Sequence, residues 1–399
     1  MITADRRGVM KVLHLCLIGP FTDGWNYQEN LLTKYHARMG LETVVLCSRW
    51  QWGKDGKLVL ADCDDFVNAD HVHICRLAIK GKDQFRRVFK RYRGLYEAME
   101  EENPDYLFIH GVAFLDTKVI ARYLRNHPHV IAYADNHSDF TNTAMTWASK
   151  NILHKIIWRH YSRLLLPYVK KFFGVLPARV DFLMDMYGFP KEKCDLLVMG
   201  ADDDFVEESR DPALIAQVRS TYHIGKDDFL IVTGGKIDRY KAQVLNLLAA
   251  VGKWNQTHQK RVRLLVFGSI DEELKPKVLD YCDGKDIQYI GWQENRSTYH
   301  LIACADLAVY PGRHSVLWEQ TAGQGIPLVV KDWPGTHHVD VDGNVIFLKH
   351  DNAEEIEQVL DSLLNHAEIY QTMRDKAQAS AHLFLYSSIA RKALGMEKA

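Results

Sequence analysis

The sequence has no apolar run approaching the roughly 18 residues that a membrane-spanning helix requires. It has no Cys-x-x-Cys pair, and its seven cysteines (16, 47, 63, 75, 194, 282 and 304) are scattered and odd in number. That usage excludes a disulfide framework and a cysteine zinc site, and predicts reduced thiols in a cytoplasmic protein. Charge of one sign is missing too: 50 Lys+Arg against 51 Asp+Glu leave a formal net charge of -1, which excludes bulk nucleic-acid binding but not a local basic patch. No internal repeat or low-complexity segment is present. Nor does a Gly-x-Gly-x-x-Gly fingerprint follow the first apolar run, which argues against a nicotinamide-dependent dehydrogenase. The polar start, Met1 to Val9, and the short run Lys11–Gly19 that enters a turn read as a first buried strand rather than a signal peptide, with Met10 offering an alternative start.

What remains is ordinary globular composition, 47% hydrophobic and 25% charged, over 399 residues. That length predicts at least two domains. Short Val/Ile/Leu-rich runs alternate with amphipathic stretches. The strands expected are Lys11–Ile18, Glu42–Cys47, Val72–Leu77, Tyr106–His110, Val130–Asp135 and Phe172–Val175. A second series comprises Leu196–Met199, Phe229–Gly234, Val262–Phe267, Ile287–Gly291, Leu307–Pro311, Pro327–Lys331 and Asn344–Leu348. Helical periodicity covers Tyr27–Met39, Gln84–Glu101, Asp116–His127, Ala178–Tyr187, Val244–His258 and Ala353–His366. Alternation of this kind means parallel sheets covered on both faces, so the fold class is α/β with two Rossmann-like domains. The pattern restarts near residue 229 after a polar stretch, Asp202–Asp228. The expected division is 1–208, 209–378 and a C-terminal helix, 379–399, that returns to the first domain. Ligands of open parallel sheets bind beyond the carboxyl ends of the strands, so the site is sought in the following loops, at a cleft between the domains.

Four of those loops carry chemistry. In Gly19-Pro-Phe-Thr-Asp-Gly24-Trp25-Asn-Tyr-Gln-Glu29, Gly24 lets a phosphate or sugar approach the backbone at a helix N-terminus; an ordinary strand-to-helix turn is the competing reading. In Asp135-Asn-His137-Ser-Asp139, a histidine flanked by carboxylates can act as a base or hydrogen-bond a substrate. Gly234-Gly235-Lys236-Ile-Asp-Arg239-Tyr-Lys241 brings two lysines to a glycine-rich helix start, as a diphosphate requires. In Pro311-Gly-Arg-His314-Ser315-Val316-Leu317-Trp-Glu319, Ser315 is expected to cap a helix on which Glu319 can accept sugar or ribose hydroxyls. Asp202-Asp-Asp204 reads better as a solvated turn or helix start than as a metal cluster, and no metal site is expected.

In series, these loops resemble the GT-B-fold glycosyltransferases of family 4, the retaining, nucleotide-sugar-dependent class, over nearly the whole chain from Lys11. The stretch Val175–Arg179, Tyr187–Lys193 and Met199-Gly200-Ala-Asp202 is similar to the end of that family's first domain. Gly235-Lys236 with Lys241 is similar to its diphosphate grip, and Gly268-Ser269 and Gly291-Trp292 to the loops flanking the donor base. Ala305-Asp306 through Pro311, then Glu319 and Gly325-Ile-Pro327, matches its most specific signature. Enzymes of surface or capsular polysaccharide assembly share the Phe-Thr-Asp-Gly-Trp start and the His314-Ser-Val-Leu-Trp-Glu stretch.

One departure is plain. The family carries two glutamates eight positions apart, and Pro311 stands eight before Glu319. Counting back from Pro327 makes Gln320 the nominal second position, so Glu319, taken as the ribose-holding glutamate, needs a one-residue adjustment. His314, Ser315 and the backbone N–H groups of Val316 and Leu317 are the groups available in place of the first.

The resemblance implies transfer of a sugar, hexosyl in type, from a nucleotide diphosphate-sugar to a glycan or lipid-linked acceptor. It implies no metal and no cofactor beyond that co-substrate, with Lys236 and Lys241 stabilising the departing diphosphate and His137 close to the reacting sugar. Basic, aromatic-rich stretches at Gln84–Arg93 and Asn151–Lys171 fit peripheral contact with the inner membrane face, or equally a solvated helix surface. The rival readings are a sugar-nucleotide epimerase or hydrolase on the same fold, and a catalytically silent nucleotide-sugar-binding protein.

Overall fold

The computed structural model describes residues 8–81 and 88–397, which divide into two compact units: the chain to Val198 with Ile389 onward, and Met199–Ser388. The break falls at 198/199 where the sequence suggests 208/209. The return falls at 388/389 rather than 378/379.

The strands of the first unit are β1 (Lys11–Cys16), β2 (Glu42–Ser48), β3 (Trp50–Trp52), β4 (Leu58–Leu60), β5 (Asp65–Val67), β6 (His73–Leu77), β7 (Tyr106–Ile109), β8 (Ile131–Asn136), β9 (Val169–Gly174) and β10 (Cys194–Leu196). Eight of them form one sheet in the order β10-β9-β8-β7-β1-β2-β6-β5, parallel except for β5. Alternation along each strand sorts the side chains. Leu13 and Leu15 of β1, Val44 and Leu46 of β2, and Leu107 and Ile109 of β7 share one core, while Cys16, Val45, Cys47 and Ile74 form another cluster. His14 stands fully buried within β1. The pair β3–β4 is an antiparallel hairpin that alternation does not announce, because Trp-Gln-Trp and Leu-Val-Leu are too short to show a period.

The second unit holds β11 (Phe229–Gly234), β12 (Val262–Phe267), β13 (Ile287–Tyr289), β14 (Leu307–Tyr310), β15 (Leu328–Lys331) and β16 (Val345–Leu348), all parallel, in the order β13-β12-β11-β14-β15-β16. Renumbered within the unit that order is the doubly wound one, and β1, β2, β6, β7, β8 and β9 repeat it in the first. Each sheet therefore has a switch point, between β1 and β7 and between β11 and β14, where the chain leaves in opposite directions and opens a crevice.

Three expectations are corrected. The helix expected from Gln84 starts at Leu95. Residues 84–87 lie outside the described residues, and beyond them Ile79 and Tyr92 form an antiparallel bridge, with Gly94 at φ 68° ending it. Tyr92 is held in that extended form because its N–H donates to Asp116 Oδ2 and its hydroxyl to the Leu17 carbonyl, both at 2.6 Å. In Asn151–Lys171 a π-helix, Ser149–Trp158, runs into the short helix Arg159–Arg163, but Lys170 and Lys171 lie in β9. The polar stretch after Asp202 is helical, Asp203–Ser209 then Pro212–Thr221. Asp202 and Asp211 cap the two helices by accepting from the N–H of Asp204 and Ala213. The Asp202 cluster is thus a helix start.

Candidate functional site

Each switch point has a cavity. That of the first unit, about 260 Å³, is lined by Cys16, Ile18, Gly19 and Phe21 after β1, Glu29 of the helix Gln28–Arg38, His110–Ala113 after β7, and Asn136–Ser138 after β8. Gly111, at φ 86°, makes the turn below it. Asp135, behind the lining residues His110, Gly111 and His137, is fully buried, with Oδ1 accepting from the Gly111 N–H at 2.8 Å and Oδ2 lying 3.1 Å from His110 Nδ1. His137 Nε2 stands 3.6 Å from the same Oδ2. Burial works against a charge on Asp135, but the imidazoles of His110 and His137 outweigh it and hold the carboxyl below the ordinary carboxylate range. For His137, desolvation works against protonation and Asp135 prevails, so its affinity for a proton is raised. The ring keeps 43% of its side-chain surface accessible and lines the cavity. Gly24 (φ 73°) and Trp25, which packs edge-on against Tyr27, occupy the turn before the helix and are not among the residues lining the cavity.

In the second unit three glycine-bearing loops interlock. The Gly235 N–H donates to Phe267, that of Ile237 to Ser269, and that of Gly268 to Gly291. The approach needs bare backbone. A Cβ on Gly268 (φ 106°) would collide with the Gly235 carbonyl, and one on Gly312 would lie 2.8 Å from Lys241 Cα. Around Gly235 (φ 100°), a Cβ would stand 3.1 Å from Leu317 Cδ1, 3.6 Å from Lys241 Nζ and 3.9 Å from Ser315 Oγ. Lys241, Ser315 and the start of the helix Leu317–Gly323 therefore converge on one bare backbone position beside the β11–β14 switch point. A small crevice there is lined by Thr233, Gly234, Lys241, Gly312, Arg313 and Ser315, among others. Burial lowers the proton affinity of Lys241 while Asp238 partly restores it. Lys236 and Trp292 are exposed, as is Ser269. Arg313 lies over the rings of Tyr240 at 5.3 Å and Trp333 at 5.5 Å, and the sequence reading gave it no role.

Ser315 does not cap the helix with its side chain. Val316 takes the position before the helix with helical dihedrals of -55° and -17°, so the turn starts early and the Ser315 carbonyl accepts from the Trp318 N–H at 2.9 Å. Glu319 is fully buried. Its Oε1 accepts from His314 Nε2 at 2.8 Å and His338 Nε2 at 2.7 Å, while Oε2 has no partner among the described residues. Burial opposes this charge as well, and the two imidazoles keep the carboxyl well below its usual range. The carboxylate on which a ribose was expected thus faces His314 and His338. His338, nineteen positions along the chain, carried no signal that periodicity or spacing could read. Gln320, the nominal alternative, is 6% exposed.

Among the described residues, two clusters gather metal-ligating atoms. His314, Glu319 and His338 bring theirs within 4.8 Å of one another, but the second ring nitrogen of a metal-bound histidine is ordinarily held by a hydrogen bond, and His338 Nδ1 has none among the described residues. Asp65, His73 and Cys75 form the other; burial and Asp65 push the Cys75 thiol up to about 12, so it is protonated and a poor ligand.

No protein-family model matches the chain, and no curated protein matches it by sequence. Solved structures do. A glycosyltransferase from Rickettsia africae is similar with a TM-score of 0.67 at 12% identity, covering 98% of both chains. Anabaena Alr3699/HepE, solved with UDP-glucose, has a TM-score of 0.63 at 13% identity, covering 97% of this chain and 98% of its own. The UDP-GlcNAc 2-epimerase of Neisseria meningitidis, solved with UDP-GlcNAc, has 0.59 at 13%, covering 97% and 100%. Likeness at such identity speaks to architecture, and the architecture is GT-B, two Rossmann-like units.

Proposed function

We propose that this chain is a glycosyltransferase that moves a sugar from a nucleotide diphosphate-sugar to a hydroxyl of a glycan or lipid-linked glycan. The observation that carries the reading is the convergence of Lys241 Nζ, Ser315 Oγ and the Leu317–Gly323 helix start on the bare backbone of Gly235. Such a cradle suits a diphosphate, because a cation beside a hydroxyl and bare backbone stabilises the charge that grows as the nucleoside diphosphate leaves. That the Anabaena relative binds UDP-glucose supports a nucleotide-sugar donor. In this reading Lys236 and Lys241 neutralise the diphosphate without a divalent ion, and the loops at Ser269, Gly291 and Trp292 flank the base. Gly24 and Trp25 border the sugar, and His137 hydrogen-bonds it. Glu319 acts through His314, the ring it holds. Retention of anomeric configuration, family 4 membership and a role in surface polysaccharide assembly belong to the same proposal.

Contact with an anionic membrane surface has support in Met145, Trp147, Ile152 and Ile156. These are exposed apolar side chains interleaved with Lys150 and Lys155 on the first unit. Co-sedimentation with vesicles containing anionic lipid, lost on Trp147→Ser with Ile156→Ser, checks it.

Thermal shift with UDP, GDP, ADP and CMP, each with and without Mg²⁺, tests the donor. A shift with one diphosphate, indifferent to metal, supports the reading; none with any of them overturns it. The epimerase reading is favoured by the Neisseria likeness together with the paired imidazoles and carboxylate of the first cavity. It predicts conversion or hydrolysis of donor without acceptor.

A further inference from the structure

A line of side chains runs from behind the first cavity into the fold. Asp135 Oδ2 lies 3.1 Å from His110 Nδ1, and His110 Nε2 lies 2.9 Å from His14 Nδ1. His14 Nε2 lies 2.9 Å from His36 Nδ1, and His36 Nε2 lies 2.8 Å from the carbonyl oxygen of Ala390 in the C-terminal helix. His14 and His36 are fully buried and His110 is 9% exposed. Four hydrogen bonds therefore join five groups, and each needs one proton. Both ends of the chain are oxygen acceptors. The Ala390 carbonyl can only accept, so His36 carries its proton on Nε2 and accepts at Nδ1. His14 must then donate from Nε2 and accept at Nδ1, and His110 must donate from Nε2. Three neutral imidazoles supply three protons, and the bond to Asp135 calls for a fourth.

We propose that this fourth proton is resident on His110, as a standing imidazolium paired with the Asp135 carboxylate. In this assignment His14 and His36 are positioning residues that keep Asp135 ionised beneath His137. The alternative home is Asp135 itself, as a neutral acid donating to His110 Nδ1. The surroundings oppose it, since Oδ1 already accepts from the Gly111 N–H and His137 stands 3.6 Å from Oδ2. Burial and the neighbouring imidazoles hold His14 far below the ordinary histidine range, and burial holds His36 at about 4, so neither takes the extra proton.

The consequence is local. A lone buried carboxylate would be driven to protonate, and a neutral Asp135 would no longer charge His137. A compensated carboxylate stays ionised without dragging water into the core. The other groups facing this assembly are Glu29, which favours a charge on His137, Arg179, which opposes it, and the buried Cys16 thiol, which burial keeps protonated.

The assignment concerns the resting protein and stands or falls apart from the transferase reading. Histidine-selective ¹⁵N labelling of the full chain tests it between pH 6 and 9. Within the line, the expected result is one histidine with both nitrogens protonated across the range, assigned to His110 by its loss in His110→Gln, and two neutral Nε2–H histidines, assigned to His14 and His36 in the same way. A neutral His110 with an unprotonated Nδ1 overturns the proposal. His14→Gln, whose amide can both accept and donate, should retain the imidazolium. His14→Leu should abolish it and lower the pH at which His137 titrates, because Asp135, left without its compensating charge, is driven to protonate and no longer favours a charge on His137. If His14→Leu does not fold, the wild-type spectrum and His14→Gln decide.

Discussion

Lys241 is the residue on which the proposed chemistry leans hardest. Its stem packs against Gly312, its ammonium is partly withdrawn from water, and among the described residues no ion pair ties it to a carboxylate. A cation held this way interacts more strongly with a phosphate than an exposed one such as Lys236. Lys241→Ala should reduce turnover roughly 100- to 1,000-fold while leaving the unfolding midpoint nearly unchanged, the loss usual for one preorganised group facing transition-state charge. Steady-state kinetics beside a denaturant titration separate the two effects. Glu319 has the opposite profile. It is buried with two imidazoles on one oxygen, so removing it strands them, and Glu319→Ala should lower the unfolding free energy by about 3–5 kcal/mol. Because the folded-state carboxyl lies below its unfolded value of 4.5, that contribution is present above pH 4.5 and drains away as pH falls below it. His36 makes the fold acid-sensitive earlier. Held at about 4 when folded against 6.5 unfolded, it stays neutral while the unfolded chain takes up a proton. Stability should therefore fall by about 3 kcal/mol as pH drops from 6.5 to 4. The wild-type midpoint should track that decline, and His36→Gln should decline less steeply, the remainder coming from the other buried histidines such as His14.

Among elements, the strands were the most legible. All thirteen expected strands have a counterpart, because a β-rich apolar run bounded by turns is a local signal. Ends moved by one or two residues in most. What escaped was set by partners. The short edge strand β5 exists through its antiparallel pairing with β6, and the segment before Leu95 is extended because Tyr92 is anchored to Asp116 and Leu17. The loop glycines were legible as a composition, but their purpose, letting three loops touch, was not. Gly268→Ala places a side chain at φ 106° against the Gly235 carbonyl. It should cost about 1–3 kcal/mol and abolish any nucleotide-induced thermal shift, whereas Gly252→Ala in the helix Val244–Thr257, with open space around it, should leave that shift intact.

At the scale of the molecule, the two units are cut where packing, rather than polarity, changes. Asp202–Asp228 is a polar stretch, rich in Asp, Glu and Arg, after which the strand pattern restarts. Yet Val206 is buried with Ala201 and Tyr299, and the Asp202 N–H donates to the Tyr299 hydroxyl at 2.9 Å. Ala201 bonds in turn to Phe384 and Tyr386. A fragment of residues 199–388 should therefore fold cooperatively, while 209–378, which lacks both of those segments, should not. Circular dichroism melts of the two fragments check this.

The sequence by itself determined the α/β class, the paired Rossmann-like sheets and the loops in which to look, because those rest on periodicity and on turn-forming residues close together in the chain. Tertiary structure alone decided which polar groups meet. His14, His36 and His110 are isolated letters in apolar runs until β1, the first helix and the turn after β7 place them in one line. Likewise Glu319 pairs with His338 only because the loop after β15 folds back to it. Hydrogen bonds act over about 3 Å in space irrespective of separation along the chain, and local pattern carries no record of such meetings.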